Sequence, residues 1–467
     1  MRAALLDQIL TVAQMRAAED ALIGAGGSVD ALMQVAGRGA ADYVWRIAAG
    51  HRVTVLCGPG NNGGDGYVIA EAIRERGGSV AVLPAAEPKT AAAGNARSLY
   101  RGEILPPDAD PHGAVFVDCL FGSGLARPLD GTHVALLQRL AAHHRHSVAI
   151  DLPSGVESDS GAMLNPGLPR FDLTVALGAW KFAHFLMPAC AAMGDLRLCD
   201  IGVAPVAGAA VVLRRPHFAA PASDSHKYRR GLLAVVGGAM PGAAVLACRA
   251  AQGAGAGYVK LFAGNVAAAA PDLVVDTGDL SGVLTDDRNT AILVGPGLGR
   301  NAAARERLAT ALADPVPAVA DADALLLLGE RLLAERKAPL IATPHEGELK
   351  ALEKAFGCAG AGAKPGRALA LAAASGMIVV AKGPDTLVAA PDGRLACATR
   401  APSWLSVAGT GDVLAGAIAS RLATGSEPFA AACEGVWLQG QAARLAGPVF
   451  TAGSLADHIP AAFRACL

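Results

Sequence analysis

The sequence is short of aromatic residues, of net charge and of regularly spaced cysteines. Phe, Trp and Tyr make up 4% of its 467 residues, whereas 56 residues are glycine. The 40 basic and 41 acidic side chains leave a formal net charge of −1. Because proteins that bind DNA or RNA usually carry a clustered excess of Lys and Arg, this balance argues against a nucleic acid partner.

Long uncharged apolar runs are missing as well. No stretch of about twenty apolar residues is free of charged or turn residues, so no transmembrane helix is predicted. Near the N-terminus, charges at Asp7, Arg16, Glu19 and Asp20 interrupt the apolar core that a secretory leader needs. The nine cysteines contain no C-x-x-C pair, which favours buried thiols in a reducing compartment over disulfides or a zinc site. We therefore expect a cytoplasmic protein without membrane contact.

The chain is too long for one ordinary hydrophobic core. From residue 53 onward, short β-branched runs alternate with helical stretches, which predicts parallel sheets covered by helices on both faces. The pattern loosens into Pro, Ala and Ser at residues 204–222 and then starts again. We predict two α/β domains, residues 1–210 and 211–467, with ligands beyond the carboxyl ends of their strands.

The stretch "VLCGPGNNGGDGY" contains the spacing of a dinucleotide-binding turn. Gly58, Gly60 and Gly63 fit G-x-G-x-x-G after an apolar run. A nicotinamide dehydrogenase would also need an acidic residue at the end of the second strand, but that strand, "SVAVLP", ends at Pro84. Asp65 in the turn would repel a pyrophosphate. The dehydrogenase interpretation is therefore rejected, and the asparagine amides of the turn suit a ribose or a hard cation.

Two later strand ends carry further polar residues. Asp118 follows a predicted strand and precedes a glycine loop at residues 122–128, and Asp151 and Ser154 follow another strand. For each residue alone, a helix cap or an Asx turn is the favoured explanation. Three polar turns at three successive strand ends predict a shared site.

Three neighbouring histidines have no such support. His143, His144 and His146 precede the predicted strand "SVAID" and belong to no motif. We predict that they form an exposed helix end and not a metal site.

The first half resembles a known family. "GPGNNGGDG", "DCLFGSGL", "DLPSG" and the lysine of "GAWKFAHF" together resemble the YjeF N-terminal domain of the NAD(P)H-hydrate epimerases. The resemblance implies a Rossmann-like three-layer sandwich that holds K⁺ through Asn62, Asp118 and Ser154. The implied substrate contacts are Asn61, Asn62, Gly63, Gly64, Asp65, Gly122, Ser123, Gly124, Leu125, Ala126, Arg127, Pro128 and Asp151.

Two of these residues are assigned to proton transfer. A positioned carboxylate moves a proton near the ring carbon that bears the hydroxyl, and we assign this role to Asp151. Lys181 is expected to assist by charge or hydrogen bonding. In the family this lysine usually follows a proline, whereas here it follows Trp180.

The stretch "VAGTGDVLAG" predicts phosphoryl transfer in the second half. Gly409 and Gly411 precede Asp412 at the start of an apolar helix, where backbone N–H groups bind a transferring phosphoryl group. Asp412 would accept the proton of the attacking hydroxyl. A helix N-cap explains the aspartate equally well on this stretch alone.

The motifs of the second half, in order, resemble the NAD(P)H-hydrate dehydratases of the ribokinase-like superfamily. They are "SHKYRRG", "GPGLG", "DADAL", "TPHEGEL", "AKGPDT" and "AGTGDVLAG". Tyr228 stands where that family commonly has glycine. The resemblance implies Mg²⁺ on the phosphates of ADP. It implies an ADP site at Lys382, Gly383, Pro384, Asp385, Thr386 and Gly411, and a hydrate site at Ala243, Gly297, Gly299, His345 and Asp412.

Together the two resemblances imply repair of hydrated NADH and NADPH, called NADHX and NADPHX. The first domain would interconvert the R and S hydrates, and the second would use ADP to convert the S form back to NAD(P)H. Two rivals stay open: a sugar or vitamin-precursor kinase in the second half, and a non-catalytic nucleotide-binding module in the first. A homo-oligomer is compatible with the sequence. The preference between NADHX and NADPHX, and between ADP and ATP, is left open.

Overall fold

The computed structural model describes residues 7–264, 266, 270–284, 286–358, 360 and 362–467. The chain divides into two compact units, Met1–Val211 and Val212–Leu467. Both contain parallel sheets flanked by helices, so the predicted α/β fold class is confirmed. No helix among the described residues has both the length and the hydropathy needed to cross a membrane.

The first unit alternates strands and helices from β2 onward. Its strands are β1 (Gln8–Leu10), β2 (Val53–Cys57), β3 (Val80–Pro84), β4 (Glu103–Ile104), β5 (Gly113–Cys119), β6 (His144–Ile150), β7 (Leu173–Leu177), β8 (Trp180–Lys181), β9 (Asp195–Cys199) and β10 (Ala210–Val212). Its helices are α1 (Val12–Gly24), α2 (Val29–Ala48), α3 (Asn61–Glu75), α4 (Ala91–Leu99) and α5 (Gly131–His143).

Seven of these strands form a parallel sheet in the order β4-β3-β2-β5-β6-β7-β9. Its two faces are buried in separate apolar clusters. Val55 of β2 packs with the residues of α2 and α3, whereas the adjacent Leu56 packs with Leu137 of α5 on the other face. Because both faces are buried, the central strands read as nearly continuous apolar runs.

Strand β1 lies outside that sheet. It pairs in parallel with β8, where Leu10 is opposite Lys181, and antiparallel with β10, where Ile9 is opposite Ala210. Helix α1 begins two residues after β1, with Thr11 as its N-cap. This pairing fixes the start of α1 beside Lys181.

The second unit is built in the same way. Its strands are β11 (Leu232–Val236), β12 (Tyr258–Phe262), β13 (Val274–Asp276), β14 (Asn289–Val294), β15 (Ala318–Ala320), β16 (Leu340–Ala342), β17 (Ile378–Ala381), β18 (Leu387–Ala389) and β19 (Leu395–Cys397). Its helices are α6 (Pro241–Gly253), α7 (Leu280–Leu284), α8 (Ala302–Ala313), α9 (Glu330–Leu333), α10 (Glu346–Ala355), α11 (Lys364–Ser375), α12 (Thr410–Ala423), α13 (Pro428–Ala446) and α14 (Ala452–Arg464).

These strands follow the order β13-β12-β11-β14-β15-β16-β17-β18-β19. Pairing is parallel from β13 to β17 and antiparallel in the final hairpin. Helices α6 and α12 pack closely on one another: a Cβ on Gly416 would lie 2.1 Å from the carbonyl oxygen of Ala247. The close approach brings the start of α12 to the carboxyl ends of the strands.

Two local predictions from the sequence are wrong. Strand β6 begins at His144, which is buried and bonds through its ring to the Leu140 carbonyl and the Thr54 hydroxyl, so the three histidines are not an exposed helix end. Only His143 belongs to α5, and it contacts Asp110 at 2.9 Å. Asp118 lies within β5 and not after it, because the pairing of β2 with β5 continues to Cys119.

Candidate functional sites

Asp151 and Lys181 form a buried ion pair at the carboxyl end of the first sheet. Asp151 directly follows β6 and has a left-handed backbone, with φ of 65°, a conformation that Asp tolerates better than most residues. Lys181 Nζ lies 2.5 Å from Asp151 Oδ1, and the Ser123 N–H donates to Oδ2 at 3.0 Å. Burial alone would raise the pKa of Asp151, but the charge and hydrogen bond of Lys181 outweigh it and lower that pKa.

His184 supports this pair, and the sequence analysis did not identify it. Its Nε2 donates to the Asp151 carbonyl at 2.8 Å, and its Nδ1 accepts from the Lys181 backbone N–H at 2.9 Å. Burial lowers the pKa of His184 to about 4, so the ring is neutral near pH 7. A second bond, from Lys181 Nζ to the Leu177 carbonyl at 2.7 Å, fixes the ammonium group.

The three predicted K⁺ ligands lie close to this pair. The Ser154 hydroxyl donates to Asp118 Oδ1 at 2.8 Å, and burial raises the pKa of Asp118 to about 6. Both polar atoms of the Asn62 side chain are buried without a hydrogen-bond partner. A Cβ on Gly122 would lie 3.3 Å from Asn62 Cγ and 3.1 Å from Asp151 Oδ2. An unsatisfied amide oxygen, a carboxylate and a hydroxyl are the oxygen donors that suit a hard cation.

The glycine turn at residues 58–65 leads into α3, whose first turns contain Asn61 to Asp65, and it is held by close backbone contacts. A Cβ on Gly63 would lie 1.9 Å from the Gly58 carbonyl oxygen, so only glycine fits there. Asn61 accepts a hydrogen bond from Thr90 at 2.7 Å. Asp65 is buried, and its pKa is well above the usual range because of burial and the nearby Asp151 charge.

The other predicted substrate contacts follow β5. In the loop 122–128, the Leu125 N–H donates to the Gly122 carbonyl at 3.3 Å. Leu129, at the end of the loop, exchanges two hydrogen bonds with Asn165. The most exposed positions are Gly124, Ala126, Arg127 and Pro128. The structure therefore presents the loop at the same sheet end as Asp151, beside the glycine turn that holds Gly63 and Gly64.

In the second unit, Asp412 lies in the first turn of α12. The N-cap is Gly409, with a left-handed backbone (φ 90°), so the alternative that Asp412 caps the helix is wrong. Burial, together with the charge of Asp321, raises the pKa of Asp412 to about 7, while Lys382 opposes the increase. An aspartate in this state can accept a proton near neutral pH.

Asp321 is the central buried charge of this second site, and the sequence analysis did not assign it a role. Its side chain is almost completely buried and accepts hydrogen bonds from Lys382 Nζ at 2.7 Å and from Thr343 Oγ1 at 2.5 Å. A Cβ on Gly411 would lie 3.5 Å from Lys382 Nζ. Lys382 therefore lies beside the start of α12, where the predicted phosphoryl site is.

The predicted hydrate contacts surround the same helix start. A Cβ on Gly297 would lie 2.0 Å from the Met240 carbonyl oxygen, just before α6, which carries Ala243. One turn later on α6, Leu246 reaches to 2.9 Å from the Cβ position of Gly409. The Gly299 N–H donates to Asp323 Oδ2 at 2.9 Å.

His345 lies at the start of α10, near the backbone of Lys382. It is the N-cap of α10, where its Nδ1 accepts from the Gly347 N–H at 2.9 Å, and most of its side chain is exposed. The preceding carbonyl of Pro344 accepts from the Lys382 N–H at 2.8 Å. His345 thus lies next to Lys382 and has both a structural role and an accessible ring.

The predicted ADP loop is a compact turn. The Thr386 hydroxyl donates to the Gly383 carbonyl at 2.8 Å, and Pro384 lies between them in sequence. Lys364, which the sequence analysis missed, donates to the Lys382 carbonyl, the Asp385 carbonyl and Asp385 Oδ1. The Asp385 carboxylate is therefore engaged in stabilising the turn.

Tyr228 is placed away from these groups, in a cation–aromatic cluster. Its ring meets that of Tyr258 edge to face, with centroids 5.7 Å apart. Lys227 Nζ lies 4.6 Å from the Tyr258 ring centroid, and the Arg288 guanidinium lies 4.6 Å from the Tyr228 centroid. A tyrosine at this position is thus accommodated by local packing.

The missed residues differ in the signal that they offered. Asp321 lies within the quoted motif "DADAL" and His184 within "GAWKFAHF", so both could have been selected as strand-end polar groups. Lys364 lies in a helix and is brought to Asp385 only by the fold.

Comparison with known proteins gives family matches to both units. The model of the family described as NAD(P)H-hydrate dehydratase matches residues 233–463, and that described as YjeF-related protein N-terminus matches residues 29–183. A solved ADP/ATP-dependent NAD(P)H-hydrate dehydratase from Bacillus subtilis is 25% identical, with a TM-score of 0.48. The match covers 54% of this chain and 95% of that one.

Full-length relatives join both parts in the same order. The bifunctional NAD(P)H-hydrate repair enzyme Nnr of Salinibacter ruber is 32% identical over 98% of this chain and 96% of its own. That of Gloeobacter violaceus is 34% identical, covering 92% and 91%. The predicted resemblance and the predicted enzyme class, a lyase joined to an isomerase, are confirmed. The chain therefore belongs to the family of bifunctional NAD(P)H-hydrate repair enzymes.

Proposed function

We propose that residues 1–210 carry the epimerase of this repair enzyme and that residues 211–467 carry the dehydratase. The observation that supports this division is the position of Asp151 and Asp412. Each lies at the carboxyl end of a parallel sheet in a different unit, among the residues predicted to bind the hydrate. The surroundings lower the pKa of Asp151 and raise that of Asp412 to about 7, so each has a proton affinity set by its own site.

In the epimerase, Asp151 is the group that accepts and returns a proton during inversion of the hydroxyl-bearing carbon. Lys181 keeps the Asp151 carboxylate ionised, and His184 bonds to the Asp151 carbonyl and the Lys181 backbone N–H. Asn62, Asp118 and Ser154 would hold K⁺, which would satisfy the buried Asn62 amide oxygen and balance the Asp118 charge. The loop 122–128 and the glycine turn would bind the rest of the nucleotide.

In the dehydratase, Asp412 removes the proton from the hydroxyl of the S hydrate. That oxygen attacks the terminal phosphorus of ADP, and the bond to the bridging oxygen breaks to release AMP. The phosphorylated hydroxyl then leaves as inorganic phosphate with loss of a ring proton, which restores NAD(P)H. Phosphorylation is useful because phosphate is a far better leaving group than hydroxide.

The backbone N–H groups at the start of α12 and the Lys382 ammonium face the charge of the transferring phosphoryl group. Mg²⁺ would neutralise the ADP phosphates. Glu348, whose Oε2 lies 3.9 Å from Lys382 Nζ, carries a carboxylate near this lysine that would hold Mg²⁺. The Lys382–Thr386 turn would bind the nucleotide.

We also propose that the enzyme works in the cytoplasm. All nine cysteines are free thiols, and seven of them are buried, as expected in a reducing compartment.

The direct test supplies purified S hydrate with Mg²⁺ and ADP and follows NADH together with AMP. We expect the two products in equal amounts and neither from Asp412→Asn. Replacing K⁺ by choline should slow conversion of the R hydrate without changing repair of the S hydrate. An Asp412→Asn variant that forms as much NADH and AMP as the intact enzyme would contradict the assigned base. An epimerisation rate that is the same in choline as in K⁺ would contradict the K⁺ site.

A further inference from the structure

Helix α1 lies along the proposed epimerase site but contributes no residue to the mechanism proposed for it, and the YjeF-related family match begins only at residue 29. Its position is well defined. Strand β1 aligns Leu10 with Lys181, and the Val12 N–H donates to Asp159 Oδ1 at 2.9 Å. Thr11 and Gln14 complete a capping box at the helix start. The first turns of α1 are therefore fixed beside the Asp151–Lys181 pair.

One face of α1 is directed at this pair. A Cβ on Gly178 would lie 2.5 Å from Met15 Cε, and Gly178 directly follows Leu177, whose carbonyl binds Lys181 Nζ. Glu19 lies four residues after Met15, so it is on the same face one turn further along. A Cβ on Gly124 in the ligand loop would lie 3.7 Å from Arg16 Nη2. Thus α1 contacts Gly178, next to the carbonyl that binds Lys181, and its Arg16 lies near the predicted ligand loop.

Burial favours the protonated form of Glu19, and the charges around it act in both directions. The groups that act on it are Lys181, Asp151, Asp20 and Arg16, and Glu19 in turn acts on Asp65. Burial is the largest influence and raises the pKa of Glu19, with further increases from the two aspartates, while Lys181 and Arg16 lower it. Lys181 is committed to Asp151 by its hydrogen bond. Glu19 and Asp151 therefore differ in proton affinity in the same site.

Inversion at a carbon that bears a hydroxyl and a ring nitrogen needs both a proton acceptor and a proton donor. We propose that Glu19 is the general acid of the epimerase, acting with Asp151 as the base; the inference rests on the role proposed for Asp151. Asp151 takes the hydroxyl proton, a carbonyl forms, the carbon–nitrogen bond of the ring breaks, and Glu19 gives its proton to that nitrogen. Closure on the opposite face of the carbonyl returns both protons, so no atom or electron is gained or lost.

Glu19 suits this role better than Asp65. Asp65 is buried within the glycine turn, whereas Glu19 is half-buried and can regain a proton from solvent. Paired acid and base groups with separated pKa values are the usual basis for assigning such roles.

The test measures conversion of purified R hydrate in the absence of ADP, so that the dehydratase is silent. We expect Glu19→Gln to reduce the epimerisation rate by about 100-fold, the usual contribution of a general acid. In the intact enzyme the rate should fall at high pH as Glu19 loses its proton, and Glu19→Gln should lack this decline. The Glu19→Asp variant keeps a carboxylic acid and should recover at least part of the epimerisation rate. The rate of the Asp20→Asn variant should stay within about twofold of that of the intact enzyme, because Asp20 is exposed.

Several results would overturn the proposal. One is an epimerisation rate of the Glu19→Gln variant within about threefold of that of the intact enzyme. A second is a slow Glu19→Gln variant whose rate still declines at high pH. The third is a Glu19→Asp variant that is as slow as the Glu19→Gln variant. ADP-dependent repair of the S hydrate is the folding control in every variant. An Asp151→Asn variant that epimerises normally would instead contradict the proposed function, whatever Glu19→Gln shows.

Discussion

Asp151 and Asp412 are both aspartates at the carboxyl end of a parallel strand or the start of a helix, yet their surroundings differ. Asp151 has a lysine at 2.5 Å and a backbone N–H at 3.0 Å. Asp412 is partly buried and feels the negative charge of Asp321, and the ammonium of Lys382 is already bonded to the Asp321 carboxylate. Neighbouring charges therefore decide which of the two is ionised throughout the neutral range and which one titrates within it.

Replacing Asp321 tests this control of Asp412. The base must be ionised to act, so the dehydration rate should increase as pH increases through about 7. Asp321→Asn removes a like charge and frees Lys382, and both changes lower the pKa of Asp412. The midpoint of the pH–rate curve should therefore move to lower pH. Thr343→Val, which removes a hydrogen bond to Asp321 but no charge, is the control and should leave the midpoint unchanged. An unchanged midpoint in Asp321→Asn would contradict the control of the Asp412 pKa by Asp321.

Replacing Lys181 tests the buried pair as a stability element. Lys181→Met leaves Asp151 buried without a partner, which should cost about 3–5 kcal/mol of unfolding free energy at pH 7. In the intact protein the pKa of Asp151 is lowered, so its contribution is present above the unfolded value of about 3.9 and is lost as pH falls below it. The difference between the two proteins should therefore shrink in acid.

Urea titrations followed by tryptophan fluorescence measure this difference, because Trp180 is adjacent to the pair. Lys181→Arg is the matched control that keeps a positive charge. A Lys181→Met protein as stable as the intact one at pH 7, or a difference that grows in acid, would contradict the buried ion pair.

At the scale of elements, the glycine turn that leads into α3 shows where close packing excludes any side chain larger than that of glycine. Gly63→Ser would place a Cβ 1.9 Å from the Gly58 carbonyl oxygen, whereas a Cβ on Gly60 would meet nothing within 4 Å. We expect Gly63→Ser to lower the unfolding free energy by about 1–3 kcal/mol or more and to abolish epimerisation. Gly60→Ser, with a favoured N-cap residue at the N-cap of α3, should cost less than about 0.5 kcal/mol. Thermal unfolding and the R-hydrate assay check both; equal effects would contradict the packing.

The central strands could be predicted from the sequence, because strands buried on both faces are nearly continuous apolar runs. Short apolar runs in the sequence coincide with β2, β3, β5, β6 and β7 and, in the second unit, with β11 and β14–β17. The edge strand β9 was missed because Asp195 and Arg197 alternate with apolar residues along an exposed edge. Strand β1 was missed because three residues acquire strand structure only through pairing with β8 and β10.

Motifs located the candidate site residues, but not the contacts between them. Asp321 and Lys382 are 61 residues apart in the chain. Asp321 follows β15 and Lys382 follows β17, and only β16 lies between these two strands in the sheet. This arrangement allows the 2.7 Å bond between the two side chains. The pairing of Lys181 with Asp151 likewise depends on the turn after β7. Distances of this kind follow from the tertiary fold, which a single sequence does not specify to that accuracy.

At the scale of the whole molecule, the chain has two compact units, and the predicted epimerase and dehydratase residues fall into different ones. If each unit completes its own site, neither activity needs the catalytic aspartate of the other. A damaged site in one molecule could then be replaced by the intact site of another, with the free hydrate passing between them.

The most direct measurement of this claim mixes Asp151→Asn protein with Asp412→Asn protein. Each is given both hydrate epimers with ADP, Mg²⁺ and K⁺, and the regenerated NADH is followed by absorbance. Alone, Asp412→Asn should regenerate nothing, and Asp151→Asn should rapidly regenerate only the S fraction. The mixture should regenerate NADH from both epimers at a rate set by the epimerase. A mixture that stops at the S fraction would contradict two separate sites acting on one substrate.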